Sequence, residues 1–224
     1  MNNTIDCHYS IIGNGPALFL IHGIGAADDA WRFVTPKLSK HFTVITYDLR
    51  GHGKSPVTHK NFNLNDLIMD LERIRELSKF EKGHFVGHSL GGMIAPMYAK
   101  KFPEKTLSTL TTRWFTDNFI NHNKDIVKRR LKQVIETDPE VFLNVFKIYA
   151  KTEMFPDLKN ITKPCLLLTG ENDLGCSPNH NKKMANEIIN SKIVILSKVK
   201  HSILIEQPHE VAENLINFIS KLKF

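Results

Sequence analysis

Cysteine is scarce in this chain of 224 residues: there are three, Cys7, Cys165 and Cys176. They are too few and too scattered for a disulfide framework or a zinc site, and a reducing cytoplasm is the compartment that follows. No apolar run reaches membrane-spanning length. The opening Met1-Asn2-Asn3-Thr4 has no basic stretch leading into an apolar one. Neither a membrane partner nor a secretory leader is therefore expected. Internal repeats and low-complexity linkers are missing too. The length suits one domain able to bury a sizeable core.

What is present in excess is positive charge, with 30 Lys and Arg against 23 Asp and Glu and a net charge of +7. Much of it lies in Lys100, Lys101 and Lys105, in the segment 124–132 and in the C-terminal third. Around 124–134 the spacing puts Val127, Leu131 and Val134 on one helical face and Lys124, Lys128 and Lys132 on another. That pattern reads as a solvated face, with attraction of anionic substrates as the alternative. No nucleic-acid-binding motif accompanies the charge, so no nucleic-acid partner is expected.

Short runs rich in Val, Ile, Leu and Phe alternate with helical patterns, which predicts an α/β fold with a mostly parallel sheet flanked by helices. The expected strands, about seven, are Asp6–Ile12, Ala17–His22, Thr43–Asp48, His84–Val86, Thr106–Thr111, Cys165–Thr169 and Ile193–Leu196. The expected helices are Ala30–Lys40, Leu64–Lys79, Leu90–Lys101, Asn179–Asn190 and Pro208–Leu222. Between 112 and 163 the rhythm breaks into two helix-like stretches (124–136 and 139–150) with many aromatics. This predicts a core of 1–111 and 164–224 interrupted by a helical cap, 112–163, over the strand ends. Those ends are where open α/β sheets bind ligands.

The chemistry-bearing motif is Gly87-His88-Ser89-Leu90-Gly91-Gly92, sited between a strand and a helix. At such a turn the pattern G-x-S-x-G lifts the serine hydroxyl above the sheet, at the positive end of the next helix. A serine N-cap on an ordinary helix is the alternative. A nucleophilic serine also needs a base, a group to orient that base, and donors for the oxyanion. Each has a candidate after a strand. Asp173 follows the strand at 165–169, with Glu171 as its near rival. His201 follows the strand at 193–196 and is favoured among eleven histidines. His22-Gly23-Ile24-Gly25 forms a strand-to-helix turn whose Ile24 amide, with that of Leu90, would supply the donors. His22 itself reads as a hydrogen-bonding tie for that loop, and His84 as a packed strand residue.

With these segments in this order, the chain resembles the α/β-hydrolase superfamily in its serine hydrolase branch, nearly end to end. Asp48-Leu49-Arg50-Gly51-His52-Gly53-Lys54-Ser55 adds to the likeness, as do Pro178, Glu206 and Pro208. The resemblance implies a catalytic triad Ser89, Asp173 and His201, and a structural role for the Asp48–Ser55 loop. Arg113-Trp114-Phe115-Thr116, the basic helix after it and Thr137-Asp138-Pro139-Glu140 look like the cap of 3-oxoadipate enol-lactonase-like hydrolases, here shortened. That finer likeness implies that Arg113 pairs with an anionic group and Trp114 walls the pocket. A cap ion pair and a core tryptophan are the alternative roles.

The expected activity is hydrolysis of a small carboxylic ester or lactone through an acyl-enzyme, with no metal or organic cofactor. Serine at position 89 excludes the dehalogenases and epoxide hydrolases of this fold, whose chemistry needs a carboxylate nucleophile. A C–C bond hydrolase, a perhydrolase, and a small-ligand receptor that keeps the triad remain as alternatives. An apolar rim around a reduced cap would favour a homodimer, with a monomer as the alternative.

Overall fold

The computed structural model describes residues 4–57, 59, 61–111, 119 and 122–222. Seven strands form one sheet: β1 (Tyr9–Ile12), β2 (Ala17–Ile21), β3 (Thr43–Tyr47), β4 (Gly83–Gly87), β5 (Thr106–Thr111), β6 (Cys165–Gly170) and β7 (Ser191–Leu196). Their order is β1-β3-β2-β4-β5-β6-β7. Only β1 runs antiparallel, against β3; the other neighbours pair in parallel. Every residue of β2, β3 and β4 is buried. That is what a strand covered by helices on both faces requires, and it explains their continuous apolar runs.

Period-two alternation splits β2 between two cores. Phe19 and Ile21 join Phe85, Leu71 and Tyr98 on one face, whereas Leu18 and Leu20 join Val86, Leu166 and Leu215 on the other. The described helices are α1 (Thr35–Leu38), α2 (Leu64–Leu77), α3 (Gly91–Lys101), α4 (Lys124–Glu136), α5 (Pro139–Lys151), α6 (Pro178–Glu187), α7 (Ile203–Glu206) and α8 (Pro208–Ile219). Local chemistry sets their starts. Asn63 makes a capping box with Asp66 ahead of α2, and the Asp138 side chain accepts from the Glu140 and Val141 amides ahead of Pro139. No helix among the described residues is long and apolar enough to cross a membrane.

The sequence reading is corrected in two places. The single helix expected over Ala30–Lys40 is instead a 3-10 turn, Asp28–Trp31, followed by the one-turn α1. Pro36 explains the break: it lacks an N–H and clashes with the preceding turn, so it is tolerated only at a helix start. The strand expected from Asp6 begins at Tyr9. Upstream of it the backbone bonds to side chains from elsewhere in the fold: Ile5 N–H donates to Asp70 on α2 (3.0 Å) and His8 N–H to the Ser55 hydroxyl (2.9 Å).

Between β5 and β6 lie α4, α5 and a 3-10 turn, Phe155–Asn160. α5 sits on the loop that follows β3. Val141 is buried against Gly51, and Asn144 Nδ2 donates to the Phe62 carbonyl at 2.9 Å. Lys124, Lys128 and Lys132 are exposed on α4, as their spacing indicated. Arg113 and Trp114 lie outside the described residues.

One strand residue makes the fold sensitive to acid. His84 on β4 is fully buried, edge-on to Phe42 at 6.3 Å between ring centroids. Burial lowers its pKa to about 4. A histidine held neutral in the fold takes up its proton on unfolding, so its contribution is present above its unfolded value and lost as pH falls below it. Between pH ~6.5 and ~4 this site alone should cost about 3 kcal/mol of stability. Urea unfolding across that window should show His84→Gln taking up about one proton fewer than wild type; an unchanged slope would place the acid sensitivity elsewhere.

Candidate active site

The sheet reverses its winding between β2 and β4, so the crevice above their carboxyl ends is the topological switch point of the fold. Both segments that leave these strands carry site residues. After β4, residues 87–91 make the turn into α3. Ser89 is in the left-handed region at φ +57, a conformation that costs a side-chain-bearing residue about 1–2 kcal/mol. The turn is tight enough to demand glycine on either side. A Cβ on Gly87 would stand 1.9 Å from the Gly91 carbonyl oxygen, and one on Gly91 would stand 2.2 Å from that of Ile21. Reverse-turn bonds from Gly91 N–H to the His88 carbonyl and from Gly92 N–H to the Ser89 carbonyl, both 2.9 Å, hold the serine at the apex.

After β2, the loop His22–Ala26 passes against that apex. A Cβ placed on Gly23 would lie 2.8 Å from Ser89 Cβ. His22 ties the loop down: its Nε2 accepts from the Leu49 amide (2.9 Å) and its Nδ1 donates to the Gly23 carbonyl (2.8 Å). Complete burial holds its pKa well below the usual histidine value, which keeps the ring neutral and preserves both bonds. The Gly23 carbonyl also accepts from the Ala26 amide at 3.2 Å. All described peptide bonds are trans, so the Ile24 N–H points opposite to this pinned carbonyl. Leu90, fully buried, is the N-cap of α3 and directly follows the serine.

On the other side of the crevice, β6 and β7 deliver the remaining pair. Asp173 Oδ2 lies 2.9 Å from His201 Nδ1, with both side chains buried. A carboxylate only accepts, so Nδ1 carries the proton and Nε2 is left as the basic nitrogen. Asp173 Oδ1 accepts from the Gly175 and Cys176 amides at 2.9 and 3.0 Å, which fixes the carboxylate plane. Glu171, two residues earlier, turns outward and accepts from the Lys198 amide at 2.9 Å. The elbow and the histidine loop meet: the His88 and His201 rings are 5.1 Å apart, and His88 Nε2 is 3.5 Å from the His201 carbonyl.

The Asp48–Ser55 loop is held by bonds within itself and to neighbouring segments. Asp48 accepts from the Asp28 and Lys54 amides at 2.7 and 2.8 Å, and Arg50 grips Asp70 through two bonds of 2.6 and 2.7 Å. Its Leu49 amide is the one that His22 Nε2 accepts from.

Sequence reading missed Arg130. Its guanidinium leaves α4 to donate to the carbonyls of Ile24, at 2.9 Å, and Gly25. The signal was available in the spacing, since Arg130 stands three residues after Val127 and four before Val134, on the face read as inward. Beside it lies a narrow recess lined by Ala26, Ala30, His88, Gln133 and Leu204.

Comparisons with known proteins bear on the fold. A family model described as alpha/beta hydrolase fold matches residues 16–124. The 3-oxoadipate enol-lactonase 1 of Acinetobacter baylyi is 24% identical over an alignment 243 positions long, spanning 94% of this chain and 91% of its own. Among solved structures, the enol-lactonase of Burkholderia xenovorans LB400 superposes with a TM-score of 0.91 at 22% identity, covering 96% of each chain. A malate-bound thermophilic esterase of Thermogutta terrifontis superposes with a TM-score of 0.89 at 19% identity, covering 96% of this chain and 93% of its own.

Proposed function

Because the chain is an α/β-hydrolase of enol-lactonase-like sequence, we propose that it is a serine hydrolase of a small carboxylic ester or lactone. Ser89 is the nucleophile, His201 the base and Asp173 the group that orients it. The Ile24 and Leu90 amides receive the oxyanion. The observation that carries this reading is the left-handed Ser89 at the apex of a two-glycine turn. Strain of this kind persists where the surrounding structure over-determines it, and it clusters at reacting centres. The Asp173–His201 pair, delivered from two other strands, supplies the base.

In the reaction, Ser89 Oγ bonds to the acyl carbon as its proton passes to His201 Nε2. The carbonyl π pair moves onto oxygen, where the two amides meet it; one such donor is worth about 3 kcal/mol in comparable sites. Collapse of the tetrahedral adduct breaks the ester C–O bond, and His201 gives the proton to the leaving oxygen. For a lactone that oxygen stays tethered to the acyl group. Water then repeats the sequence: it loses a proton to His201, attacks the acyl carbon, and Ser89 leaves with its proton restored. Asp173 holds the imidazole tautomer and balances the imidazolium.

Likeness to enol-lactonases favours a lactone bearing a carboxylate, which Arg113 would pair with and Trp114 would wall. The free-thiol chemistry of its three cysteines suits the cytoplasm as its compartment.

Treatment with a fluorophosphonate, followed by peptide mass spectrometry, is expected to label Ser89 and to leave Ser89→Ala unlabelled. A folded wild-type protein that stays unmodified, or an adduct at another serine, would overturn the assignment. Labelling together with slow single-turnover release of product would instead favour the receptor reading.

A further inference from the structure

We infer that Arg130 is a positioning residue that ties α4 to the oxyanion loop, so that the seating of this helix governs the rate of acyl transfer. The inference rests on the serine hydrolase reading. Three successive carbonyls of the loop are held. That of Gly23 accepts from His22 Nδ1 and the Ala26 amide, and those of Ile24 and Gly25 accept from the one Arg130 guanidinium. Gly25 is at φ +60, so the chain turns sharply between the two carbonyls that the guanidinium grips. A planar fork of donors suits two neighbouring oxygens in a way that a flexible ammonium does not.

The helix is clamped to the same stretch of chain at two further points. Arg129 donates to Asp29 Oδ2 at 2.6 Å and Gln133 to Asp29 Oδ1 at 2.7 Å. Asp29 itself lies in the 3-10 turn that follows the loop. Arg129, Arg130 and Gln133 thus present one continuous polar seam from α4 to residues 24–29. Burial of the Arg130 guanidinium lowers its pKa to about 10, so it stays charged at neutral pH. The Gly25 carbonyl that Arg130 grips shares its peptide with the Ala26 N–H, and that N–H donates to the Gly23 carbonyl, whose peptide carries the Ile24 N–H; the cation therefore polarises the Ile24 donor through one intervening hydrogen bond. Its loss removes both the geometric hold and the polarisation, while the ground-state ester depends on neither.

The test uses the full chain and p-nitrophenyl acetate, whose acetyl group is too small to need contact with α4. Arg130→Ala is expected to lower kcat about 10- to 50-fold with KM within about 3-fold, less than the roughly 100- to 1000-fold loss of an oxyanion donor itself. Affinity for a simple alkylboronic acid, whose serine adduct mimics the tetrahedral oxyanion, should fall in parallel with kcat. Added guanidinium ion at low millimolar concentration should restore part of kcat to Arg130→Ala and none to wild type. Lys132→Ala, a substitution on the exposed face of the same helix, should match wild type. A folded Arg130→Ala with wild-type kcat, or with a change confined to KM, overturns the inference. Should that variant fail to fold, Arg130→Lys decides: a several-fold loss of kcat at constant KM supports the positioning role, and wild-type kcat overturns it. Ser89→Ala, run alongside, separates the two readings. If it is inactive while Arg130→Ala is unimpaired, only the inference about Arg130 fails; if it is active, the serine hydrolase reading itself fails.

Discussion

Replacing Ser89 with glycine is expected to abolish turnover and at the same time make the protein more stable. The first effect follows from loss of the hydroxyl. Removal of a nucleophile that acts as one unit with its base lowers kcat by roughly 10⁴-fold or more. The second follows from the backbone, because Ser89 is held at φ +57 and glycine adopts that region at no steric cost. The expected gain is about 1 kcal/mol, the penalty for a side-chain-bearing residue less the extra freedom that glycine has when unfolded. Ser89→Ala provides the contrast: it loses the hydroxyl but keeps the Cβ and therefore the strain. Denaturant unfolding should rank glycine above alanine and serine, while all turnover resides in the serine protein. Equal stability of the alanine and glycine variants would mean that the apex is unstrained. Hydrolysis surviving in both would remove Ser89 from the mechanism.

Breaking the pair behind the site should cost the most stability of any single change proposed for this protein. Arg50 and Asp70 are joined by two bonds with side-chain exposures of 0% and 1%, and Asp70 Oδ1 also accepts from the Ile5 amide. Burial pushes the Asp70 carboxyl above its ordinary pKa, against the pull of Arg50. The pair is thus no large net source of stability; its partners are costly to separate. Asp70→Ala leaves a guanidinium in the core with its main acceptor gone, and a loss of about 3–5 kcal/mol is expected. The double variant Arg50→Met/Asp70→Leu removes both charges at similar volume and should recover most of that loss. Urea unfolding of the single and double variants checks this. If the double variant is as unstable as the single one, the hydrogen bonds themselves carry the stability, and the account by stranded charge is wrong.

Much of the architecture was legible because it is written in short-range chemistry. β5 and α4 start and stop where the sequence pattern places them, since apolar periodicity, caps and prolines act within a few residues. The turn at 87–91 was legible for the same reason: two glycines around a serine between a strand and a helix leave few other conformations. Misreadings arose where one local signal opposed another. Over Ala30–Lys40 a helical apolar spacing competes with Pro36, and the proline prevails. Around Asp6–His8 a strand-like pattern gives way because the side chains of Ser55 and of Asp70 on α2, far along the chain, take the His8 and Ile5 backbone bonds.

The sequence by itself determined the layered α/β fold, the apex serine and the order in which the candidate site residues arrive, because each follows from neighbours in the chain. Only the tertiary structure decided which groups meet. Glu171 and Asp173 stand two residues apart in one loop, and their sequence context barely separates them. Asp173 faces His201 because the loop closes on its carboxylate through the Gly175 and Cys176 amides, while Glu171 is occupied by Lys198. Arg130 reaches Gly25 across 105 positions of chain. No local pattern encodes such a bond, since hydrogen bonding between distant groups depends on where packing leaves an unfilled acceptor, and packing is a property of the whole fold.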